Sequence, residues 1–141
     1  MSSVFVDTSA WLAVMDRSEE RHEIARDFFL KLLGNKTKLV TSNYVLSETY
    51  TRIRYDAGHS YAIRFHDIII SASQRGDLQV VWVTPSIADE AWEIFEKYED
   101  QLFSFTDCTS FVIAGESKVK EVFAFDEDFK IMGYIVEPTS R

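Results

Sequence analysis

Short apolar runs alternate with longer amphipathic segments along the chain. Five runs rich in β-branched and aromatic residues predict strands at residues 4–6, 39–41, 78–83, 121–125 and 134–136. The segments between them predict helices at residues 10–15, 19–33, 43–57, 61–74, 85–99 and 106–116, with a short turn after Asp126. Strands that alternate with helices favour a parallel sheet covered on both faces. The pattern therefore predicts an α/β three-layer sandwich with a mostly parallel five-stranded sheet flanked by helices.

Acidic residues mark the ends of several predicted elements. Asp7 follows the first strand and Asp126 follows the fourth, Asp107 opens the last long helix, and Glu48 lies on the helix after the second strand. In an open α/β sheet, active sites form outside the carboxyl ends of the strands, so these four side chains are expected to converge. Carboxylates that gather without basic partners repel one another unless a cation holds them. The sequence therefore predicts a metal site.

Each acid also has a local explanation. An aspartate at a helix start can cap the first turn, which would account for Asp7, Asp107 and Asp126 one at a time. Glu48 can pair with Arg52 one helical turn later. Four unrelated local roles at such similar places would be a coincidence, whereas one hard divalent cation accounts for all four residues.

Length and composition fit one small enzyme domain. The 141 residues are 46% hydrophobic and 14% aromatic, so we expect residues 1–141 to form a single domain with its own core. No apolar stretch approaches the ~20 residues that span a bilayer, and the N-terminus lacks a basic-then-apolar signal region. We therefore expect a cytoplasmic protein. Cys108, the single cysteine, cannot form an internal disulfide and is interpreted as a packed residue.

Charge is divided unevenly along the chain. Residues 1–76 carry 10 Lys and Arg against 9 Asp and Glu, whereas residues 77–141 carry 5 against 14. A formal net charge of −8 is unlike that of a protein that binds nucleic acid through general electrostatics. Any RNA would have to meet a local basic patch, for which the candidates are Arg52, Arg54, Arg64 and Arg75.

In their order and spacing, the acidic motifs resemble those of the PIN domain family, and specifically its single-domain VapC-like ribonuclease toxins. The family's first motif, a hydrophobic strand followed by Asp-Thr/Ser-Ser, resembles residues 4–11, and its second, a strand and then a helix with Glu, resembles residues 40–48. The third and fourth motifs resemble residues 105–107 and 123–129. The resemblance spans nearly the whole chain and implies a PIN-like nuclease domain.

The resemblance also implies a role for each acid. Asp7 and Asp107 would be the principal ligands of magnesium or manganese, and Glu48 and Asp126 would complete the acidic pocket directly or through water. The bound ion would polarise the scissile phosphate of an RNA substrate and activate water for in-line hydrolysis. A second ion ~4 Å away would need further ligands from the substrate.

One position departs from the family pattern. The family usually has Ser or Thr two residues before the fourth acid, where this chain has Ala124, so a hydroxyl that would orient a carboxylate or water is missing. Asp128 is a candidate substitute, although a solvent-facing acid at a helix start is the simpler interpretation.

The resemblance implies partners as well as chemistry. VapC-like proteins form homodimers and are inhibited by a small antitoxin whose basic tail lies across the acidic site. Trp11, Tyr44 and Tyr50 lie near two of the motifs and would suit such a segment, and core packing is the other explanation for these aromatic residues. A membrane partner is not expected.

Three other protein classes place acids in comparable positions. A haloacid-dehalogenase phosphatase needs a second Asp two residues after the first, where this chain has Ser9. A receiver domain expects an acidic pair near its first strand and a strand-end Lys, and the first strand of this chain lacks the pair. A PIN-like scaffold that serves as a non-catalytic RNA- or protein-binding module is a third interpretation, which the sequence does not exclude.

His22, His59 and His66 show no zinc-type spacing and are interpreted as surface or core residues.

Overall fold

The computed structural model describes residues 2–139, and within them it contains one five-stranded sheet. The strands are β1 (Ser3–Val6), β2 (Lys38–Ser42), β3 (Leu78–Val81), β4 (Glu121–Phe123) and β5 (Ile135–Glu137). The helices are α1 (Thr8–Met15), α2 (His22–Gly34), α3 (Asn43–Asp56), α4 (His59–Arg75), α5 (Pro85–Lys97), α6 (Phe105–Glu116) and α7 (Asp128–Ile131). Every predicted strand and helix is present, and the predicted turn after Asp126 leads into α7.

The strand order places the start of the chain in the middle of the sheet. The order is β3-β2-β1-β4-β5, and every neighbouring pair is parallel. Crossovers between parallel strands are right-handed, so α1 to α4 cover one face and α5 to α7 cover the other. Helix contacts agree, because α1 packs on α2 and α3, and α5 packs on α6. The predicted α/β three-layer sandwich is confirmed, with a sheet that is wholly parallel.

The central strand is apolar from Val4 to Val6 because helices cover both of its faces. Val4, Phe5 and Val6 are each at most 2% exposed. The Phe5 ring lies 6.2 Å from the ring of Phe129 on α7, measured between centroids. Burial of each such side chain stabilises the fold by roughly 1.5–3 kcal/mol. This packing fixes the end of β1, where the first acid follows.

Strand β3 ends two residues earlier than predicted because its neighbour ends there. Ser42 is the last residue of β2 and the N-cap of α3, and it pairs in register with Val81. Beyond this pair β3 has no partner strand. The N–H of Val83 is instead bound by the side chain of Asn43, with the nitrogen 2.8 Å from Oδ1.

The same rule shortens β4. Its pairing with β1 ends at the register pair of Val6 and Phe123, because β1 itself ends at Val6. The N–H of Phe125 then donates to the hydroxyl of Ser9, with the nitrogen 2.9 Å from Oγ. The chain after β4 is therefore tied to the start of α1, next to Asp7.

Helix α2 begins at His22 instead of the predicted residue 19. Two acidic side chains hold the preceding segment in turns, because Asp16 Oδ1 accepts from the N–H of Ser18 at 2.9 Å and Glu19 Oε1 accepts from the N–H of Arg21 at 3.2 Å. Such local side-chain hydrogen bonds compete with helix formation.

No helix within residues 2–139 is both long and apolar enough to cross a membrane.

Candidate active site

The four predicted acids line one open cleft at the carboxyl ends of the strands. Asp7 follows β1, Asp126 follows β4, Glu48 lies on α3 and Asp107 lies on α6. The cleft has a volume of about 310 Å³. It lies where the strand order reverses between β1 and β4, the place where open α/β sheets bind ligands. Polar and charged side chains complete its wall, namely Thr8, Ser9, Glu19, Arg21, Arg52 and Ser104.

Asp7 is held by the helix that it caps. Its Oδ2 accepts from the N–H of Ser9 at 3.3 Å and from the Ser9 hydroxyl at 2.9 Å. The same hydroxyl accepts from Phe125, so Ser9 connects Asp7 to the segment after β4. Asp7 is only 3% exposed. The capping role expected from the sequence and the position in the cleft are therefore compatible.

Glu48 is oriented by a neighbour across the sheet end. The hydroxyl of Thr8 donates to Glu48 Oε1 at 2.8 Å. The pairing with Arg52 that local sequence suggests is absent among the ion pairs of residues 2–139, although both side chains line the cleft. The hydrogen bond from Thr8 draws the carboxylate of Glu48 towards the end of β1.

Asp107 is positioned by a capping box at the start of α6. Its Oδ2 accepts from the N–H of Ser104 at 3.0 Å, and its own N–H donates to the Ser104 hydroxyl at 2.9 Å. This reciprocal pair satisfies two backbone donors of the first turn. It also fixes the direction in which the half-buried carboxylate of Asp107 enters the cleft.

Asp126 and Asp128 extend the acidic cluster. Their carboxylate oxygens and one of Asp107 all lie within 4.8 Å of one another, a spacing at which they could hold one metal ion. The N–H of Asp128 also donates to Asp126 Oδ1 at 3.1 Å. Asp128 opens α7 and is half-buried, so it is a helix-start residue as the simpler interpretation expects, and its carboxylate also lies close to the other acids.

Ala124, which lacks the hydroxyl that the family pattern has at this position, lies in a buried part of the sheet end. Ala124 is 1% exposed, and its N–H donates to the carbonyl of Glu137 at 3.1 Å. The hydroxyl that contacts the segment after β4 comes from Ser9 instead.

Burial and mutual repulsion raise the proton affinity of these carboxyl groups. Burial, followed by the negative charges of Asp126 and Asp107, raises the pKa of Asp7 to about 8. Burial is also the main cause that raises the pKa of Asp107 to about 6 and the pKa of Asp126 above its ordinary value. Ionised carboxylates in such a cluster repel one another, and a cation bound between them would reduce that repulsion. The oxygen-only donor set suits a hard divalent cation such as magnesium or manganese.

A model of the PIN domain matches residues 4–133 of the chain. The chain belongs to the PIN domain family. Asp7, Glu48, Asp107 and Asp126 all lie within the matched residues.

Two curated relatives of this PIN domain cover most of its length. The 23S rRNA-specific endonuclease VapC20 of Mycobacterium tuberculosis is 34% identical over 133 residues, which are 94% of this chain and 95% of the relative. A VapC ribonuclease of Aquifex aeolicus is 28% identical over 131 residues, which are 92% of this chain and 91% of the relative. The PIN domain is homologous to these VapC ribonucleases.

Two solved structures share the fold of this PIN domain. The crystal structure of VapC20, described as a Sarcin-Ricin loop cleaving toxin, matches with a TM-score of 0.82 and 32% identity, covering 94% of this chain and 96% of that one. VapBC2 from Rickettsia felis, solved with a DNA fragment from their promoter, matches with a TM-score of 0.69 and 14% identity, covering 96% and 97%. The second likeness is one of fold alone.

Residues outside the acidic set take the ordinary places expected for them. Cys108 is fully buried, and burial with the nearby Asp107 charge raises the pKa of its thiol to about 11, which disfavours the nucleophilic thiolate. His22 Nδ1 lies 2.8 Å from the carbonyl oxygen of Ala13. Trp11 is 2% exposed, so core packing explains it.

Sequence reasoning missed one basic residue of the PIN domain cleft and named others that lie elsewhere. Of the four candidate arginines, Arg52 lines the cleft, whereas Arg75 pairs with Asp77 at 2.9 Å on another part of the surface. Arg21 lines the cleft and bonds to the carbonyl of Phe125, 104 residues further along the chain. Only the strand order could have brought Arg21 to attention, because no local motif marks it.

Proposed function

We propose that this PIN domain is a magnesium- or manganese-dependent endoribonuclease and the toxin of a toxin–antitoxin pair. One observation carries the proposal, the convergence of Asp7, Glu48, Asp107 and Asp126 on a single cleft. Homology to a VapC ribonuclease and to a 23S rRNA-specific endonuclease supports ribonuclease activity. Residues 1–141 would act as one nuclease domain, in the cytoplasm where ribosomal RNA lies.

The acids are proposed to bind the metal ion in different ways. Asp7 and Asp107 are the proposed principal ligands, and Glu48 and Asp126 complete the site directly or through water, with Asp128 close enough to join them. A divalent cation held there would polarise the scissile phosphate and activate water for in-line attack. The hydroxyls of Thr8 and Ser9 donate to Glu48 and Asp7, and the backbone N–H of Ser104 donates to Asp107.

The proposed substrate is an unpaired loop of structured RNA. The cleft lies at the carboxyl end of the sheet and has a volume of about 310 Å³. Proteins that recognise RNA by sequence mostly read bases in loops and single strands, because the groove of a paired A-form helix hides them. VapC20 is described as cleaving the Sarcin-Ricin loop, and the equivalent loop of large-subunit ribosomal RNA is the first substrate to test.

The test is cleavage of intact ribosomes and of a labelled stem-loop with that sequence, read by primer extension and by gel. We expect cleavage with magnesium or manganese, none after chelation, and recovery when the metal is returned. Asp107→Asn should remove most activity. Asp27→Asn should not, because this exposed side chain on α2 lies outside the cleft.

The same assay separates the enzyme from the non-catalytic alternative. Binding of the stem-loop without cleavage in any divalent metal would favour a PIN-like binding module. Cleavage that survives chelation, or Asp107→Asn cleaving as fast as the parent, would contradict the proposed metal site.

The proposed partner is a small antitoxin protein that covers the acidic cleft. Homology to VapC20, a toxin, supports this expectation. The negative cleft would attract a basic segment. Co-expression with the product of the neighbouring upstream gene should give a complex that copurifies and does not cleave RNA. Failure to copurify would favour a solitary PIN nuclease and would leave the metal chemistry unaffected.

A further inference from the structure

Arg21 is fixed in the wall of the cleft by three contacts. Its Nη1 donates to the carbonyl oxygen of Phe125 at 3.2 Å, and its guanidinium carbon lies 4.7 Å from the centroid of the Phe125 ring. Its Nε bonds to Glu19 Oε1 at 3.3 Å. The side chain nevertheless stays 46% exposed. A long, flexible side chain is thus held in one orientation in a wall that the acidic cleft shares with the adjoining pocket beside Phe125 and Asp126.

The catalytic acids do not pair with the positive charge of Arg21. Among residues 2–139 its ion pair is with Glu19, a solvent-accessible contact of the kind that contributes little. Asp126 follows Phe125 directly but accepts no hydrogen bond from Arg21. A guanidinium carries five N–H donors, and two of its nitrogens make the contacts described. Donors therefore stay free for a ligand beside the metal-binding acids.

We propose that Arg21 binds a phosphate of the RNA backbone next to the scissile bond, an inference that rests on the proposed function. A cleft lined by several carboxylates in a chain of net charge −8 repels a polyanion, so a fixed cation beside the acids is what the substrate requires. The planar guanidinium matches two phosphate oxygens at once.

Arg52 is the other basic side chain of the cleft wall, and its setting differs. It lies on α3, which follows β2, whereas Arg21 contacts the segment after β4, so the two lie on either side of β1 in the strand order. Within residues 2–139, Arg52 has no hydrogen bond or ion pair to fix its head group. The preorganised contact is therefore assigned to Arg21.

A purely structural role for Arg21 makes a different prediction. If its only task were to hold Phe125, and through it Asp126, its loss would displace an acid and weaken manganese binding. A phosphate contact instead changes the affinity for RNA and its dependence on salt. Each phosphate contact to single-stranded nucleic acid changes the slope of log affinity against log salt by about 0.7.

The experiment measures binding of a fluorescein-labelled RNA stem-loop by the cleavage-deficient Asp107→Asn protein at several salt concentrations. Arg21→Gln in that background should weaken binding at least about tenfold and reduce the salt slope by about 0.7. Arg21→Lys should keep the slope but bind more weakly, because it keeps the charge and loses the planar fork. Arg26→Gln is the matched control, since it removes the same charge from exposed α2 outside the cleft.

A second readout uses the otherwise unchanged enzyme, in which Arg21→Gln should raise KM more than it lowers kcat. Equal effects of Arg21→Gln and Arg26→Gln on RNA binding would overturn the proposal. So would an unchanged salt slope combined with weaker manganese binding, which would assign Arg21 a structural role. Parent enzyme that fails to cleave the stem-loop in any divalent metal would instead count against the proposed function.

Discussion

At the scale of single residues, Asp7 combines two opposing demands. It caps α1 through the N–H of Ser9, yet it is almost fully buried beside other acids, and its pKa rises to about 8. The ionised form of Asp7 is therefore favourable in the folded protein only when a cation is bound beside it. The side chain that serves the chemistry destabilises the metal-free fold.

Asp7→Asn tests this trade-off. Asparagine keeps an oxygen for Ser9 and removes the charge, so RNA cleavage should fall by at least about a hundredfold while the metal-free protein melts at a higher temperature at pH 8. Cleavage rates and thermal unfolding without metal measure the two effects. Parent-like cleavage, or a lower melting temperature without metal, would contradict this account of Asp7.

Asp128 offers a second residue-scale test. Its carboxylate lies within 4.8 Å of ligand atoms of Asp107 and Asp126, so Asp128→Asn should weaken manganese affinity several-fold. The adjacent Glu127 is exposed and pairs with Lys130 at 2.8 Å. Glu127→Gln should leave manganese affinity unchanged in titration calorimetry. If both variants bind alike, Asp128 takes no part in the metal site.

The sequence reveals the acids of the cleft but not the groups that orient them. Asp7 and Asp126 can be predicted because each ends an apolar run, and parallel strands bring such ends to one edge. The bond from Phe125 to Ser9 joins residues 116 positions apart, and the contact of Arg21 with Phe125 spans 104. Contacts of this kind depend on strand order and on loop paths, which hydrophobic periodicity does not specify.

At the scale of elements, the capping box of α6 connects helix stability to catalysis. Ser104→Ala should lower the free energy of unfolding by about 1 kcal/mol and also reduce RNA cleavage, because it removes the hydroxyl that accepts from the Asp107 N–H and leaves the Asp107 carboxylate held by the Ser104 N–H alone. Thr84 caps α5 in the same way, through the N–H of Ile87, but lies outside the cleft. Thr84→Ala should lower stability alone. Equal losses of activity in both variants would show that the Ser104 cap has no special role in placing Asp107.

Element types follow from the sequence more reliably than element ends. The apolar runs at residues 78–83 and 121–125 predict strands β3 and β4, but both strands stop two residues early. Each stops where the neighbouring strand turns into a helix, at Ser42 and at Val6. A strand needs a hydrogen-bonding partner as well as a suitable side-chain pattern, and the partner's end is a property of another segment.

At the scale of the whole molecule, the oligomeric state of the protein can be tested. The resemblance to VapC-like proteins leads us to expect a homodimer, with a mass twice the 16.3 kDa of the chain. Light scattering at micromolar concentration measures this mass directly. A strict monomer would remove the dimer expectation without affecting the cleft.

The clustered acids also give the whole molecule a pH dependence that metal should reverse. In the unfolded chain these aspartates ionise near the ordinary pKa of 3.8, whereas the folded protein keeps protons on Asp107 to about 6 and on Asp7 to about 8. Between pH about 4 and pH about 8 the folded state therefore binds more protons than the unfolded chain does. The stability of the metal-free protein falls as pH rises through this range. Magnesium binds the deprotonated site, so its stabilising effect should grow over the same range.

Thermal unfolding at pH 5 and pH 8 measures this coupling, with chelator or with millimolar magnesium. Without metal, the melting temperature should be lower at pH 8, and magnesium should raise it more at pH 8 than at pH 5. Asp7→Asn should reduce both effects, because it removes the group with the largest shift, whereas Asp27→Asn on exposed α2 should change neither. If magnesium stabilises the protein equally at both pH values, binding does not displace protons from these carboxyl groups, and the cation is held somewhere other than the buried acids of the cleft.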